Sequence, residues 1–319
     1  MKEGITMSFA ATTKKELTRI EAKKCCQRAE LSALVRMNGV IQIGHDMVLG
    51  VRTENAATAR RIFLLFKEVY GLHPEVLVRK KVRLKKNRTY MICLKEKVLD
   101  VLKDLGIIGD HLKQIQGIAS KLLSKECCRR SYLRGAFLAG GSVNNPDSGS
   151  YHLELVSTYY DHGEALCHLM NRYYQLHAKM IERKKGYVTY IKEGDKIGEF
   201  LNIIGAHQSL FHFEDVRILK DMRNSVNRLV NCDTANLNKT IQAAMRQIES
   251  IQLIEREHGL DQLPPPLREI AVTRLKYPEI SLSELGQMLP SGKLSKSAVN
   301  HRMRKIHSLA DKIRGCPKK

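Results

Sequence analysis

The residue types that do chemistry fall into few productive patterns in this 319-residue chain. Its eight cysteines form two adjacent pairs, Cys25-Cys26 and Cys127-Cys128, and four scattered singles. Adjacent cysteines do not make the CxxC knuckle of a structural zinc site, so the expectation is reduced, buried thiols and no metal. His152, His162, His168 and His177 lie near one another in sequence. They lack the HExxH spacing that sets two imidazoles on one helix face, and so read as surface or core histidines. Gly140-Gly141-Ser142 and Gly194-Asp195-Lys196 have neither the length nor the setting of phosphate-cradling glycine loops. Asp161 and Glu164 suit the start of a helix, where the dipole favours acids. No Ser/His/Asp or Cys/His constellation emerges, so no catalytic residue and no cofactor is expected.

Charge carries more information. Fifty-four Lys and Arg against 33 Asp and Glu give a net charge of +21. Such an excess points to a polyanionic partner, nucleic acid ahead of membrane. No stretch approaches the roughly 18 apolar residues of a membrane span. The N-terminal residues lack a signal core, and a cytoplasmic, nucleoid-associated protein is expected.

Two stretches concentrate the basic residues. From Pro74 to Leu84 the chain alternates as a strand does: Val76, Val78, Val82 and Leu84 on one face, Arg79, Lys81, Arg83 and Lys85 on the other. Residues 79–88 hold seven bases and no acid. An edge strand blocked by lysines would look similar, but the acid-free stripe favours a phosphate-facing surface. Lys184 and Lys185 occupy the corresponding turn later in the chain.

The second stretch is C-terminal. A helix over 267–276 stops before Pro278, and Ser281 and Glu284 form a capping box for a short helix reaching Met288. A Pro290-Ser291-Gly292 turn follows, and Ser295 or Ser297 caps a last helix running to Arg314. That order is a helix-turn-helix. Val299, Met303, Ile306, Ala310 and Ile313 make the buried stripe of the last helix. Ser297, Asn300, His301, Arg304 and Lys305 lie opposite or beside it, where a recognition helix meets base edges of double-stranded DNA.

The elements that position these residues are duplicated. Cys25–Val40 (CCQRAELSALVRMNGV) and Cys127–Val143 (CCRRSYLRGAFLAGGSV) share a Cys-Cys start, a basic residue, an apolar small-residue helix and a terminal Gly. LGIIG at 105–109 and LNIIG at 201–205 close the two copies. Small residues on one helix face let another backbone approach, so the two helices should pack together and set both strand sets side by side as one curved basic platform.

The expected fold is α+β: a duplicated αββαββα domain followed by an all-α helix-turn-helix domain. Its parts are a short, exposed basic helix over 1–20, the duplicated domain over 21–206 (repeats about 21–109 and 123–206), a helical connector over 207–263 and the helix-turn-helix over 264–319. Within the connector, Glu214–Val230 reads as one helix and a second starts at Asp233. Leu237, Ile241, Ala244, Ile248 and Ile251 step as a heptad-like stripe, expected to pack on adjacent helices.

This duplication resembles the LAGLIDADG homing endonucleases, and with its tail the whole chain resembles the WhiA family of bacterial transcriptional regulators. In the nucleases each motif ends Ala-Asp/Glu-Gly, and the acid holds the catalytic metal. The corresponding positions are Asn38, in Arg36-Met37-Asn38-Gly39, and Gly140, in Leu138-Ala139-Gly140-Gly141. Neither supplies the carboxylate that hard cations and an activated water require. The resemblance therefore implies a sequence-specific, non-catalytic DNA-binding regulator of cell division, chromosome segregation or sporulation, with other transcription or cell-division proteins as further partners. Two alternatives stand beside it: an endonuclease with displaced metal ligands, and a protein-interaction scaffold.

Overall fold

The computed structural model describes residues 7–44, 47–80, 88–184 and 186–315. The chain forms two compact units, Met1–Lys220 and Asp221–Lys319.

The first unit opens with α1 (Phe9–Leu17). The first repeat is α2 (Lys24–Asn38), β1 (Gly39–Ile43), β2 (Met47–Thr53), α3 (Ala56–Tyr70), β3 (Glu75–Lys80), β4 (Arg88–Leu94) and α4 (Val98–Asp104). The second is α5 (Glu126–Gly140), β5 (Gly141–Val143), β6 (Leu153–Ser157), α6 (Tyr160–Tyr174), β7 (Lys179–Arg183), β8 (Gly186–Ile191) and α7 (Gly194–Ile204). The two antiparallel sheets have one topology, β1-β2-β4-β3 and β5-β6-β8-β7, so the duplication extends from sequence to strand order. Strand β5, only three residues long, is too short for alternation to reveal.

Helices α2 and α5 pack side by side in the same direction. A Cβ on Gly135 would sit 2.3 Å from the Glu30 carbonyl oxygen, so only glycine permits this approach. At the same level lies a buried charge cluster. The Glu30 carboxylate is fully buried and receives the Arg61 guanidinium of α3 (Nε–Oε1 2.8 Å) and that of Arg134 on α5 (Nε–Oε2 2.9 Å). One acid thus ties both repeats together. Around it a continuous apolar core runs through Leu31, Leu34, Ile62, Phe66, Leu133 and Phe137 to Phe200.

Helix α1 differs from the expected exposed segment. Ser8 caps it, and Thr13 and Leu17 are fully buried because Phe9, Thr13 and Leu17 share one face. Glu16 accepts hydrogen bonds from the backbone N–H groups of Gln208 (2.8 Å) and Ser209 (3.0 Å) at the start of α8 (His207–His258). A carboxylate here satisfies otherwise unpaired N-terminal donors. Helix α8 also corrects the expected break: residues 230–233 are helical, and Asp233 lies within the helix rather than capping a new one.

In the second unit, Ile251 and Ile254 of α8 pack with α9 (Pro265–Lys276), α10 (Leu282–Gln287) and α11 (Lys296–Gly315). The heptad-like stripe is covered only in part: Ala244 and Ile251 are buried, while Leu237 and Ile241 remain exposed. The Ser281–Glu284 capping box forms with both of its hydrogen bonds. Arg274 is buried beneath the loop that follows α9 and donates to the Ile280 carbonyl at 2.6 Å, holding that loop against the helix. At Gly286 a Cβ would stand 2.3 Å from the Leu294 carbonyl oxygen, so the turn folds back closely onto α10.

Candidate nucleic-acid interface

The C-terminal ends of α2 and α5 open into a crevice of about 1010 Å³. In the resembling nucleases this is where paired acids would meet. Here Asn38 donates its side-chain amide to the Ala139 carbonyl at 3.1 Å, so its polar group joins the two repeats. An aspartate in its place would set carboxylate oxygen against carbonyl oxygen. Gly140 has no room for a side chain, because a Cβ would lie 2.6 Å from the Val156 carbonyl oxygen and 2.8 Å from the Met37 methyl. The crevice is lined instead by Lys14, Arg36 and Arg52, together with Glu54. Burial pulls the Lys14 ammonium down to about 8. Arg36 donates to the Gly106 carbonyl at 2.8 Å, and its burial likewise disfavours the charged form. Three basic side chains against one acid give the crevice an excess of positive charge, which suits an anion better than a divalent cation. The missing acids are visible in the motif positions, whereas helix periodicity alone does not bring Lys14 and Arg36 together.

The strand surface is more mixed than its sequence suggests. In the first repeat, Leu49, Val51, Ile92 and Leu94 face the helices. By register, Arg52, Met91, Leu77 and Arg79 therefore share the opposite face. Lys81, Arg83 and Lys85 lie outside the described residues, as does Lys185. Val76 and Val78 sit on the helix side, but β3 is an outer strand of its sheet and both remain about half exposed. Acids also occupy the open faces: Glu75 pairs with Lys95 at 2.7 Å, and Glu154 with Arg183 at 3.4 Å and His152 at 3.2 Å. The strands form two four-stranded sheets of one strand order, and among the described residues their open faces carry paired acids beside the bases. Lys184 is exposed in the β7–β8 turn.

On α11 the fold places the named residues as the helical period requires. Ser295 caps the helix, its hydroxyl accepting from the Ala298 N–H. Val299, Met303, Ile306 and Ala310 are buried. Ser297, His301, Arg304 and Lys305 are exposed, and Asn300 is half-buried on the flank.

The four histidines do not converge. His152 and His177 join Glu154 and Glu193, and His168 is exposed. His162 is buried between the Ser157 hydroxyl (Nδ1–Oγ 2.9 Å) and the Tyr132 hydroxyl (Nε2–Oη 2.9 Å). Burial, aided by the Arg36 charge, pushes it down to about 3. The folded state thus holds it neutral while the unfolded chain protonates near 6.5, so stability is full above about 6.5 and falls between there and 3. Each pH unit through that window should cost up to about 1.4 kcal/mol. Urea midpoints measured against pH should show this slope, and His162→Gln should flatten it.

The two Cys-Cys pairs, separate in the sequence, come together. Their four sulfurs lie within 4.8 Å of one another. Cys26 and Cys128 are buried, Cys25 is half-buried and Cys127 is exposed, so the expectation of uniformly buried thiols is corrected.

A paired-repeat LAGLIDADG-like fold whose acid positions are filled or closed, followed in the chain by a helix-turn-helix, defines the class of protein: a duplicated LAGLIDADG-like domain with a C-terminal module of the DNA-binding type. Comparison with known proteins agrees with that architecture. Three family models match: the WhiA N-terminal LAGLIDADG-like domain at residues 24–108, the WhiA LAGLIDADG-like domain at 129–223 and the WhiA C-terminal HTH domain at 226–310. The chain is 61% identical over 97% of its length to the probable cell division protein WhiA of Brevibacillus brevis, covering 98% of that protein. It is 59% identical, with the same coverage of both chains, to that of Bacillus licheniformis. The crystal structure of full-length DUF199/WhiA from Thermatoga maritima superposes with a TM-score of 0.61 at 26% identity, over 96% of this chain and 99% of that one. The chain belongs to the WhiA family.

Proposed function

We propose that this chain is a sequence-specific, double-stranded-DNA-binding transcriptional regulator that does not cut DNA and that acts in bacterial cell division, chromosome segregation or sporulation. The observation that carries this reading is the geometry of α11: a buried stripe locked into a core shared with α8, α9 and α10, with Ser297, His301, Arg304 and Lys305 exposed opposite it. Such a helix presents hydrogen-bonding side chains to the major groove. Residues Arg79, Lys81, Arg83, Lys85, Lys184 and Lys185 would add sequence-independent phosphate contacts. The name of the relatives, probable cell division protein, supports the cellular process. The crevice supports the absence of cleavage, because Asn38 is engaged, Gly140 is closed and the surrounding charges are largely positive. Among the described residues, no helix is long and apolar enough to cross a membrane.

The test of this reading is supercoiled plasmid incubated with the protein and Mg²⁺ or Mn²⁺, run beside a gel-shift assay on the same DNA. Bound but unnicked plasmid is expected. Nicking that tracks protein concentration would overturn the non-catalytic assignment. For the phosphate contacts, Lys184→Ala should weaken binding to cognate and random duplexes alike. It should reduce the slope of log affinity against log salt by about 1, as loss of one phosphate contact requires.

A further inference from the structure

The cysteine cluster lies at the end of the helix pair remote from the crevice. Cys25 and Cys26 occupy the first turn of α2, and Cys127 and Cys128 the first turn of α5. At 1.5 Å per residue, the helix length sets them about 20 Å from Asn38 and Gly140. They therefore have no part in the crevice.

Within each pair the sulfurs stand 3.9 Å (Cys25–Cys26) and 4.0 Å (Cys127–Cys128) apart, and all four fit within 4.8 Å. A tetrahedral zinc site with Zn–S of about 2.3 Å has sulfur–sulfur edges of about 3.8 Å. The observed separations need a contraction of at most about 1 Å to reach that figure, within reach of cysteine rotamer adjustment. The donor set is all sulfur, and thiolate ligands select soft or borderline cations over magnesium or calcium.

The surroundings suit the anion such a site creates. The residue preceding each helix is a lysine, Lys23 and Lys125, with Lys24 opening α2 and Glu126 opening α5, so bases outnumber acids three to one beside the pairs. Both pairs sit in the first turns of their helices, at the positive ends of the helix dipoles. The exposed Cys127 gives an entry path, while Cys26 and Cys128 are shielded from solvent.

We infer that Cys25, Cys26, Cys127 and Cys128 form a tetrathiolate site for one zinc ion, two ligands from each repeat, that pins the N-terminal ends of α2 and α5 together. Binding converts four thiols and Zn²⁺ into a zinc tetrathiolate of charge −2, releasing four protons to buffer, with no change in oxidation state. Site formation requires the native pairing of the two repeats, so binding free energy becomes stability of that pairing.

The test is titration of the full-length, reduced protein with Co²⁺ as a spectroscopic stand-in, followed by displacement with Zn²⁺. One equivalent should produce a near-ultraviolet thiolate-to-cobalt charge-transfer band, with intensity corresponding to four thiolates, and the intense visible bands of tetrahedral cobalt. One zinc should then erase both. Cys26→Ser and Cys128→Ser should each weaken binding by on the order of 100-fold or more, at or beyond the loss seen when supporting groups of a metal site are removed. Should a variant fail to fold, the wild-type chain still decides the matter: zinc should protect these four cysteines, and neither Cys93 nor Cys232, from alkylation read by peptide mass spectrometry. Absence of the charge-transfer band in fully reduced protein, cobalt binding untouched by both substitutions, or a disulfide among the four in place of metal uptake would each overturn the proposal.

Discussion

Glu30→Ala should destabilise the first unit by about 3–5 kcal/mol, the cost of leaving one side of a buried ion pair uncompensated. The carboxylate is fully buried, and the Arg61 and Arg134 side chains that reach it are 6% and 7% exposed. Removing the acid leaves two buried guanidinium groups, one on each repeat, without the carboxylate that both reach. Against a typical domain stability of about 5–15 kcal/mol, such a loss brings the unit near its unfolding threshold. Urea denaturation followed by far-ultraviolet circular dichroism measures it. The companion triple variant, Glu30→Leu with Arg61→Met and Arg134→Met, should recover most of the loss, because replacing a whole buried cluster by apolar groups of similar volume is often neutral or better. A loss below about 1 kcal/mol for Glu30→Ala would put the cluster in the class of exposed pairs, against its burial.

Arg304→Ala should cost about 1–3 kcal/mol of binding to the cognate duplex and much less on random DNA, the signature of a lost base contact rather than a lost phosphate contact. Arg304 is exposed on α11, one helical turn beyond Asn300 and His301, while neighbouring Met303 is buried and fixes the rotation of the helix. Fluorescence anisotropy on both duplexes at fixed salt separates the cases, since affinity without its salt condition carries no information on specificity. Equal losses on both DNAs would move Arg304 from base reading to backbone contact.

The parts of the fold legible in sequence are those set by short-range rules. Helix period placed the buried stripe of α11, the capping box fixed the start of α10, and alternation marked β3. The repeated Cys-Cys and terminal Gly exposed the duplication. What escaped depends on long-range approach. Glu30 and Arg134 look like ordinary charged positions on their helices, and only the close contact at Gly135 buries them. Helix α1 has the composition of an exposed basic helix, yet Thr13 and Leu17 find a core and Glu16 finds the first N–H groups of α8. The break expected before Asp233 rested on a good capping residue, but local capping propensity yielded to helix continuation. The cysteine cluster did carry a signal: the equal offset from Cys25 to Cys127 and from Cys26 to Cys128 sets both pairs at the same end of parallel helices. Taken one pair at a time, the spacing had pointed away from a metal.

The candidate interface follows the same division. The absent acids at Asn38 and Gly140 were readable from motif position. The lining of that crevice by Lys14 and Arg36 was not, because one belongs to a preceding helix and the other turns inward to the Gly106 carbonyl.

The measurement that tests the central claim most directly is capture of genomic DNA fragments by the intact protein at low and high salt with Mg²⁺ present, the recovered DNA being sequenced and checked for nicks. Uncut fragments that persist at high salt and share a common site are predicted, and Arg304→Ala should lose that shared site while keeping low-salt binding. Uniform binding that disappears at high salt, or fragments cut at a recurrent position, would contradict it.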